Sequence, residues 1–347
     1  MTFLNNLKIQ AKSKIFLAKY SKAYIESLIL GCDNNESWAN NKLLTMQRDT
    51  VYCHDEFIAI STDFYKNRAK NDDSYALYKL GAIYYKDDIN KAQLYLEGSA
   101  NLGNISAMKE LAYRYDEPCN EYSTYGFGVD LNKRDYWLNK ALDLNDSEAM
   151  HYVAKLIMDG QDTFKRDINL GLELLDKSIA SGYLKAYFTK GEYYNQIVFS
   201  NDIEQFKKEN YERRLKAIEA YENAVNYGND WEKQSNAALE IGLIYGNDFI
   251  YGKEKNQYIS DANKALYWLL IASYFGNDSA EEYIEKITRN TSQYISNDQK
   301  LAYLNQFRQK YAKPFYCNVC NKTYFFDKNA DITECPICFL NSKGIYY

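Results

Sequence analysis

Histidine and proline are scarce: two histidines, His54 and His151, and three prolines stand among 347 residues. Two imidazoles leave little material for histidine-based acid–base or nucleophilic catalysis. So few prolines, with sixteen glycines, exclude collagen-like and proline-rich filaments. Long apolar runs are missing too, and without about 18 consecutive apolar residues no membrane-spanning helix is expected. The opening segment MTFLNNLKIQAKSKIFLAKY is broken by Asn6, Lys8, Gln10, Lys12 and Lys14. It lacks the apolar core and small-residue cleavage site of a secretory signal. The seven cysteines are an odd set, four of them in the last fifth of the chain. That arrangement fits metal binding in a reducing compartment better than a disulfide scaffold, so the expected address is cytoplasmic.

What is present is ordinary globular material with one excess. Hydrophobic residues are 46%, charged residues 26%, and the formal net charge is −5, which argues against wholesale disorder. Tyrosine is the excess, at 35 copies. Its ring packs against apolar neighbours while its hydroxyl stays wet, which suits folds with much half-buried surface.

The chain is internally repetitive. Five segments place an alanine, then glycine or alanine at plus five, then usually tyrosine at plus eight: Ala76/Gly81/Tyr84, Ala107/Ala112/Tyr115, Ala149/Ala154/Ile157, Ala186/Gly191/Tyr194 and Ala237/Gly242/Tyr245. A second element follows each, running from Lys91-Ala92 to Gly103, Lys133-Arg134 to Asn145, Leu170-Gly171 to Gly182, Lys216-Ala217 to Gly228 and Lys264-Ala265 to Gly276. The spacing predicts two antiparallel helices per repeat, with small residues admitting a neighbouring helix and the large aromatic filling the gap beside them. Asp88, Asp130, Asp167 and Asp261 precede the second helices as caps, and the closing Gly or Asn supplies a left-handed terminator. One hairpin cannot bury its apolar face alone, so the copies must stack.

These residues resemble the Sel-one-like repeat family, relatives of the tetratricopeptide repeats. The clearest copy runs from Ala107 to Asn145, with Tyr125-Gly126-Phe127-Gly128-Val129-Asp130 matching the family's glycine-x-glycine-valine loop. The expected fold is all-α: a right-handed α-solenoid of helix–turn–helix repeats with helical caps and a small C-terminal zinc ribbon. Residues 1–72 form an N-terminal helical cap or degenerate repeats, 73–277 the five repeats, 278–312 a C-terminal cap, and 313–347 the ribbon. In the first part Leu4, Leu7, Ile15, Leu17, Tyr20, Tyr24 and Leu28 recur at helical steps up to a stop at Gly31. Extra sequence around Val198–Tyr211 and Asn247–Ser260 is expected in loops, where contact sites often grow.

The tail holds Cys317-x-x-Cys320 and Cys335-x-x-Cys338, fourteen residues apart. Two such pairs form a tetrahedral zinc signature, and Lys322–Phe326 between them reads as strand. One structural Zn2+ on Cys317, Cys320, Cys335 and Cys338 is expected, because about 35 residues have too small a core to fold unaided; four thiolates also accommodate rubredoxin-type iron. Lys313, Lys322, Lys328 and Lys343 exceed Asp327, Asp331 and Glu334 by one, a thin footprint for nucleic acid.

Other chemistry-bearing groups read as structural. Cys53-His54-Asp55-Glu56 points in diverging directions on a helix and reads as a solvated helix start. Gly126-x-Gly128 lacks the context of a phosphate loop. Cys32 and Cys119 are isolated. No nucleophile, base and oxyanion set can be assembled, and a non-enzyme is expected. The tetratricopeptide resemblance implies a concave wall carrying Tyr75, Tyr78, Tyr85, Lys109, Tyr113, Asp116, Glu148, His151, Lys155, Phe188, Glu192, Asn195, Asn236 and Leu239. Aromatics interleaved with single charges suit a protein partner, and the acidic balance favours a basic one. The same resemblance implies an immunity or antitoxin-like inhibitor as a sharper alternative. A regulator touching nucleic acid through the ribbon is the rival from another class.

Overall fold

The computed structural model describes residues 12, 14–47, 54–116, 126–161, 163–228, 230–250, 259–291, 296, 298–299, 301–303, 305–306, 312–317 and 322–327. The chain divides into two compact units, residues 1–149 with 160–165, and residues 150–159 with 166–347. Both are built from helices. The first holds α1 Lys22–Asp33, α2 Ser37–Gln47, α3 His54–Ala69, α4 Ser74–Tyr84, α5 Ile89–Asn101, α6 Ile105–Asp116 and α7 Leu131–Asp143. Helix α8, Ser147–Asp159, lies mostly in the second unit, with α9 Ile168–Ala180, α10 Lys185–Asn195, α11 Ile203–Tyr227, α12 Trp231–Ile250, α13 Ala262–Tyr274 and α14 Ser279–Thr291. Two strands, β1 Ala312–Cys317 and β2 Lys322–Asp327, pair antiparallel with Cys317 opposite Lys322. Among the described residues no helix is long and apolar enough to cross a membrane.

Packing is between near neighbours in sequence. In the first unit α4 packs on α5 and α6 on α7, with α5 against α6 and α3 against α4. In the second, α10 through α14 each pack on the next, while α10 also reaches α12, and α12 reaches α14. Contact restricted to adjoining hairpins is the signature of a repeat stack.

Local signals in the sequence explain the ends of these helices. Asp88, Asp130 and Asp167 accept the backbone N–H of Lys91, Lys133 and Leu170, and Asp261 accepts those of Asn263 and Lys264. Gly103, Asn145, Gly182 and Gly276 adopt φ of 86, 57, 92 and 88° beyond the second helices, where an L side chain other than Asn is strained. Gly228 departs from expectation. Its φ is −61°, and glycine is needed there because a Cβ would strike the Ala224 carbonyl oxygen.

Gly31 is also a correction: it lies inside α1, where a Cβ would come within 2.6 Å of Ala39 Cβ. Close approach by α2 selects glycine, and the left-handed turn falls later, at Asn35. The start of that helix differs as well, since the chain breaks at Tyr20 and Ser21 caps α1 through the Tyr24 N–H.

The small residues admit side chains from the second helix of the same hairpin. A Cβ at Gly81 would lie 2.7 Å from Leu96, at Gly242 2.7 Å from Leu269, and at Gly191 2.5 Å from Tyr221. The plus-eight tyrosine has a different task. Its ring receives the ammonium of the lysine opening the second helix: Lys91 over Tyr84 at 5.4 Å, Lys133 over Tyr115 at 4.9 Å, Lys216 over Tyr194 at 5.5 Å and Lys264 over Tyr245 at 5.1 Å. In the third repeat both positions change together, to Ile157 and Leu170, as a cation–π pair that is lost as a pair requires.

The added sequence of the fourth repeat is largely helix. Helix α11 starts at Ile203 under an Asp202 cap and runs for 25 residues.

Candidate functional site

In the first unit an open groove of about 1050 Å³ is lined by α3, α4 and α6. Phe57, Ile58, Ala82, Ile83 and Tyr85 supply apolar surface, and Lys79, Lys86, Arg114, Asp55 and Glu110 supply charge. Arg114 is fixed by Glu110 at 2.6 Å and lies 4.1 Å over the Tyr85 ring. Tyr65 and Lys79 also line the groove, and both reach the Asp33 carboxylate, which is only 6% exposed and accepts hydrogen bonds from Tyr65 at 2.9 Å and Tyr75 at 3.1 Å. Arg68 at 3.5 Å and Lys79 at 3.6 Å balance its charge. Burial, with the Asp33 charge behind it, pushes the Tyr65 phenol far above its ordinary range, so it remains a donor. For Lys79, burial opposes the charge, yet Tyr75 and Asp33 outweigh it and hold the ammonium protonated.

The sequence placed Tyr75 and Tyr85 on a binding wall. Here Tyr85 lines the groove and Tyr75 is tied to Asp33. Tyr78 is half-buried and Tyr113 is 51% exposed. Lys109 bridges Glu148 at 2.6 Å and Asp146 at 3.4 Å, and Asp116 receives the buried Arg134 at 2.8 Å. Asp33, Tyr65 and Arg68 escaped sequence reasoning. Asp33 lies 32 and 42 residues from its two tyrosines, and no local pattern links them.

In the second unit Lys155 and Glu192 line a polar cavity of about 490 Å³ with Met158, Asp159, Arg166 and Thr189. His151 Nε2 lies 2.8 Å from Thr189 Oγ1, joining α8 to α10, and its ring is 5.1 Å from that of Tyr183. Asn195 donates to Glu240 at 3.1 Å. Burial raises the Glu240 carboxyl, the Glu192 charge adds to this, and the Asn195 hydrogen bond opposes it. Burial also raises Glu192, against Lys155 and Lys233. Asn236 accepts from Asn277 at 3.2 Å, and Leu239 packs against the core. Phe188 is 8% exposed, 5.4 Å from the Tyr221 ring, and so belongs to the core and not to an open wall. Its backbone position suits the wall pattern, but α11 packs over that side of α10.

The remaining chemistry-bearing residues keep structural settings. His54, Asp55 and Glu56 form the first turn of α3, while Cys53 and Cys119 lie outside the described residues. Gly128 takes φ 86° in a loop tied back to α6, with Phe127 N–H on Arg114 O and Asp130 N–H on Tyr115 O. Burial, with the neighbouring Asp33 charge, raises the Cys32 thiol, which disfavours the reactive thiolate. Among the described residues no three His, Cys, Asp or Glu side chains gather as a metal ion requires. Of the four tail cysteines, Cys317 ends β1; Cys320, Cys335 and Cys338 lie outside the described residues.

No protein-family model matches the chain, and no curated protein matches it. Among solved structures it is similar to a Sel1 repeat protein from Oxalobacter formigenes, at 18% identity over 71% of this chain and 92% of that one, with a TM-score of 0.47. It is similar to c5321, a protective antigen present in uropathogenic Escherichia coli strains displaying an SLR fold, at 18% identity over 87% and 68%, TM-score 0.41. A third is immunity protein PA5088 from Pseudomonas aeruginosa, at 17% identity over 70% and 82%, TM-score 0.39.

Proposed function

We propose that this chain is a non-catalytic protein-interaction module that engages a protein partner through the outward side chains of its helical hairpins. The observation that carries this reading is the open groove of the first unit, where Tyr85, clamped by Arg114, stands beside an apolar floor. Rigid aromatic area anchors a polypeptide at small entropic cost, and fixed charges set its register. A net charge of −5 favours a basic partner. In its sharper form, inhibition of a toxin or effector, the partner is a single basic protein.

The full-length tagged chain is expected to retain a protein partner from native lysate at low salt. The double variant Tyr85→Ala with Asp55→Lys, which removes the aromatic anchor and reverses an acidic charge of the groove, should lose that partner while keeping its helical circular dichroism. Equal retention by both proteins, or recovery of no partner by the parent, overturns the reading.

The tail is read as a metal-held module. Cys317 ends strand β1, opposite Lys322 of β2, and the Cys-x-x-Cys spacing to Cys320 is the one that lets two thiolates share one metal ion. Cys335 and Cys338 would complete four thiolates around one structural Zn2+, leaving no open position for a catalytic water. Elemental analysis should return one zinc per chain, and Cys335→Ser with Cys338→Ser should abolish it; zinc-free parent protein purified without chelator contradicts the assignment.

A further inference from the structure

The second unit carries a protrusion and a cleft of matching size and charge. The segment after α10 is fastened to α11 by two side chains. Asn210, 3% exposed, donates from Nδ2 to the Val198 and Phe206 carbonyls, each at 2.8 Å, and accepts the Val198 N–H at 3.0 Å. Arg213 donates to Gln196 O at 3.2 Å and Tyr193 O at 2.5 Å. Held in this way, the segment presents Phe199 at 87% exposure, flanked by Ile197 at 53% and Ile203 at 67%. The Phe199 ring is backed by Phe206 at 6.4 Å in a stacked arrangement. A clustered apolar knob on an already ordered loop marks an interaction site, since little conformational entropy remains to be lost on docking.

The cleft lies between α10 and α11. Tyr187, Tyr194 and Ala220 line it, Lys190, Lys216 and Glu219 supply its charge, and its volume is about 230 Å³. An apolar cavity of about 150 Å³ already accepts benzene, so a phenyl ring fits. Beside the knob, Glu204 is 85% exposed; on the cleft, the Lys216 ammonium lies 5.5 Å from the Tyr194 ring. Lys190 is held by Asp176 at 2.5 Å, so Lys216 is the cleft cation nearer to hand. Glu204 already meets Lys207 on its own helix through Oε1 at 3.1 Å, and at 85% exposure its other carboxylate oxygen, Oε2, is the one that can face Lys216.

The geometry points to a second copy of this chain as the occupant: Phe199 of one copy seats in the Tyr187–Tyr194 cleft of another, with Glu204 facing Lys216. The contact cannot form within one chain. Glu204 and Ala220 stand sixteen residues apart on one continuous helix, about 24 Å at 1.5 Å per residue. A reciprocal pair of contacts closes a dimer, and a one-way contact builds a chain of copies.

Sedimentation velocity of the full chain over a concentration series tests this. The parent should associate as concentration rises, and Phe199→Ser, at a position already in water, should weaken association roughly tenfold or more without changing the helical signal. Glu204→Lys and Lys216→Glu should each weaken it, and their combination should restore it. Monomeric parent protein into the millimolar range, or association unchanged in Phe199→Ser, overturns the proposal. So does a photo-crosslinker at position 199 that captures a different protein and no second copy.

Discussion

Arg134 has no exposed side-chain surface, and its guanidinium meets Asp116 at 2.8 Å and Asp135 at 2.9 Å, with the Phe164 ring 5.9 Å away. The planar fork suits two carboxylates, which a lysine would satisfy less well. Truncating one member of a buried charge pair strands its partners. Arg134→Ala is therefore expected to cost about 3–5 kcal/mol in urea unfolding. Arg134→Ala combined with Asp116→Asn should cost clearly less, because fewer charges are left unpaired at the same loss of packing. Equal losses in the two proteins would show that packing, and not charge, sets the cost.

At the scale of the helix, the hairpins depend on where a Cβ is missing. A methyl at Gly191 would lie 2.5 Å from the Tyr221 ring, which is 1% exposed and has nowhere to retreat. Alanine gains about 1 kcal/mol of helix propensity over glycine, while overpacking costs about 1–3 kcal/mol. Gly191→Ala should thus lower stability on balance, and adding Tyr221→Leu should recover part of the loss. A Gly191→Ala protein more stable than its parent would mean that α10 and α11 can part without cost. The same approach of helix to helix explains Gly31 and Gly81. The lysine–tyrosine pairs join the two helices of four hairpins, with the rings of Tyr115 and Tyr245 themselves buried.

At the scale of the molecule, acid acts on the two units through different groups. In the first unit, burial pushes Asp73 up, but the Ala76 N–H and Arg68 outweigh it and hold the carboxyl low; Lys91 lowers Asp88. Asp230 in the second unit is lowered chiefly by Lys185. These lowered groups contribute stability that is present above the unfolded value of about 3.9 and lost as pH falls through their folded values. Glu240 and Glu192 are raised, so they act in the opposite sense. Their contribution is full below about 4.3 and is lost as pH rises through the folded values. Lys155, Asp159, Lys233, Asn195 and Tyr221 face this pair. Moving from pH of about 7 to about 5 should therefore stabilise the second unit before either unit loses its caps. Hydrogen exchange resolved along the chain, corrected for intrinsic rates, should show this gain in α10 and α12, and Glu240→Gln should remove it. Faster opening of those helices at the lower pH would refute the assignment.

The sequence by itself determined the hairpins and their ends. An aspartate accepting an N–H three residues on, or a glycine turning left-handed past a helix, acts within a few residues of itself, so Asp88, Asp167, Gly103 and Gly182 could be read directly. Tertiary structure alone decided which side chain meets which small residue, that Gly31 and Gly228 serve close approach and not a left-handed turn, and that Phe188 turns inward. It also assembled the Asp33 cluster and clamped Phe199 into the open through Asn210. Most such pairings depend on how a helix is rotated and seated against its neighbour, which local periodicity leaves undetermined.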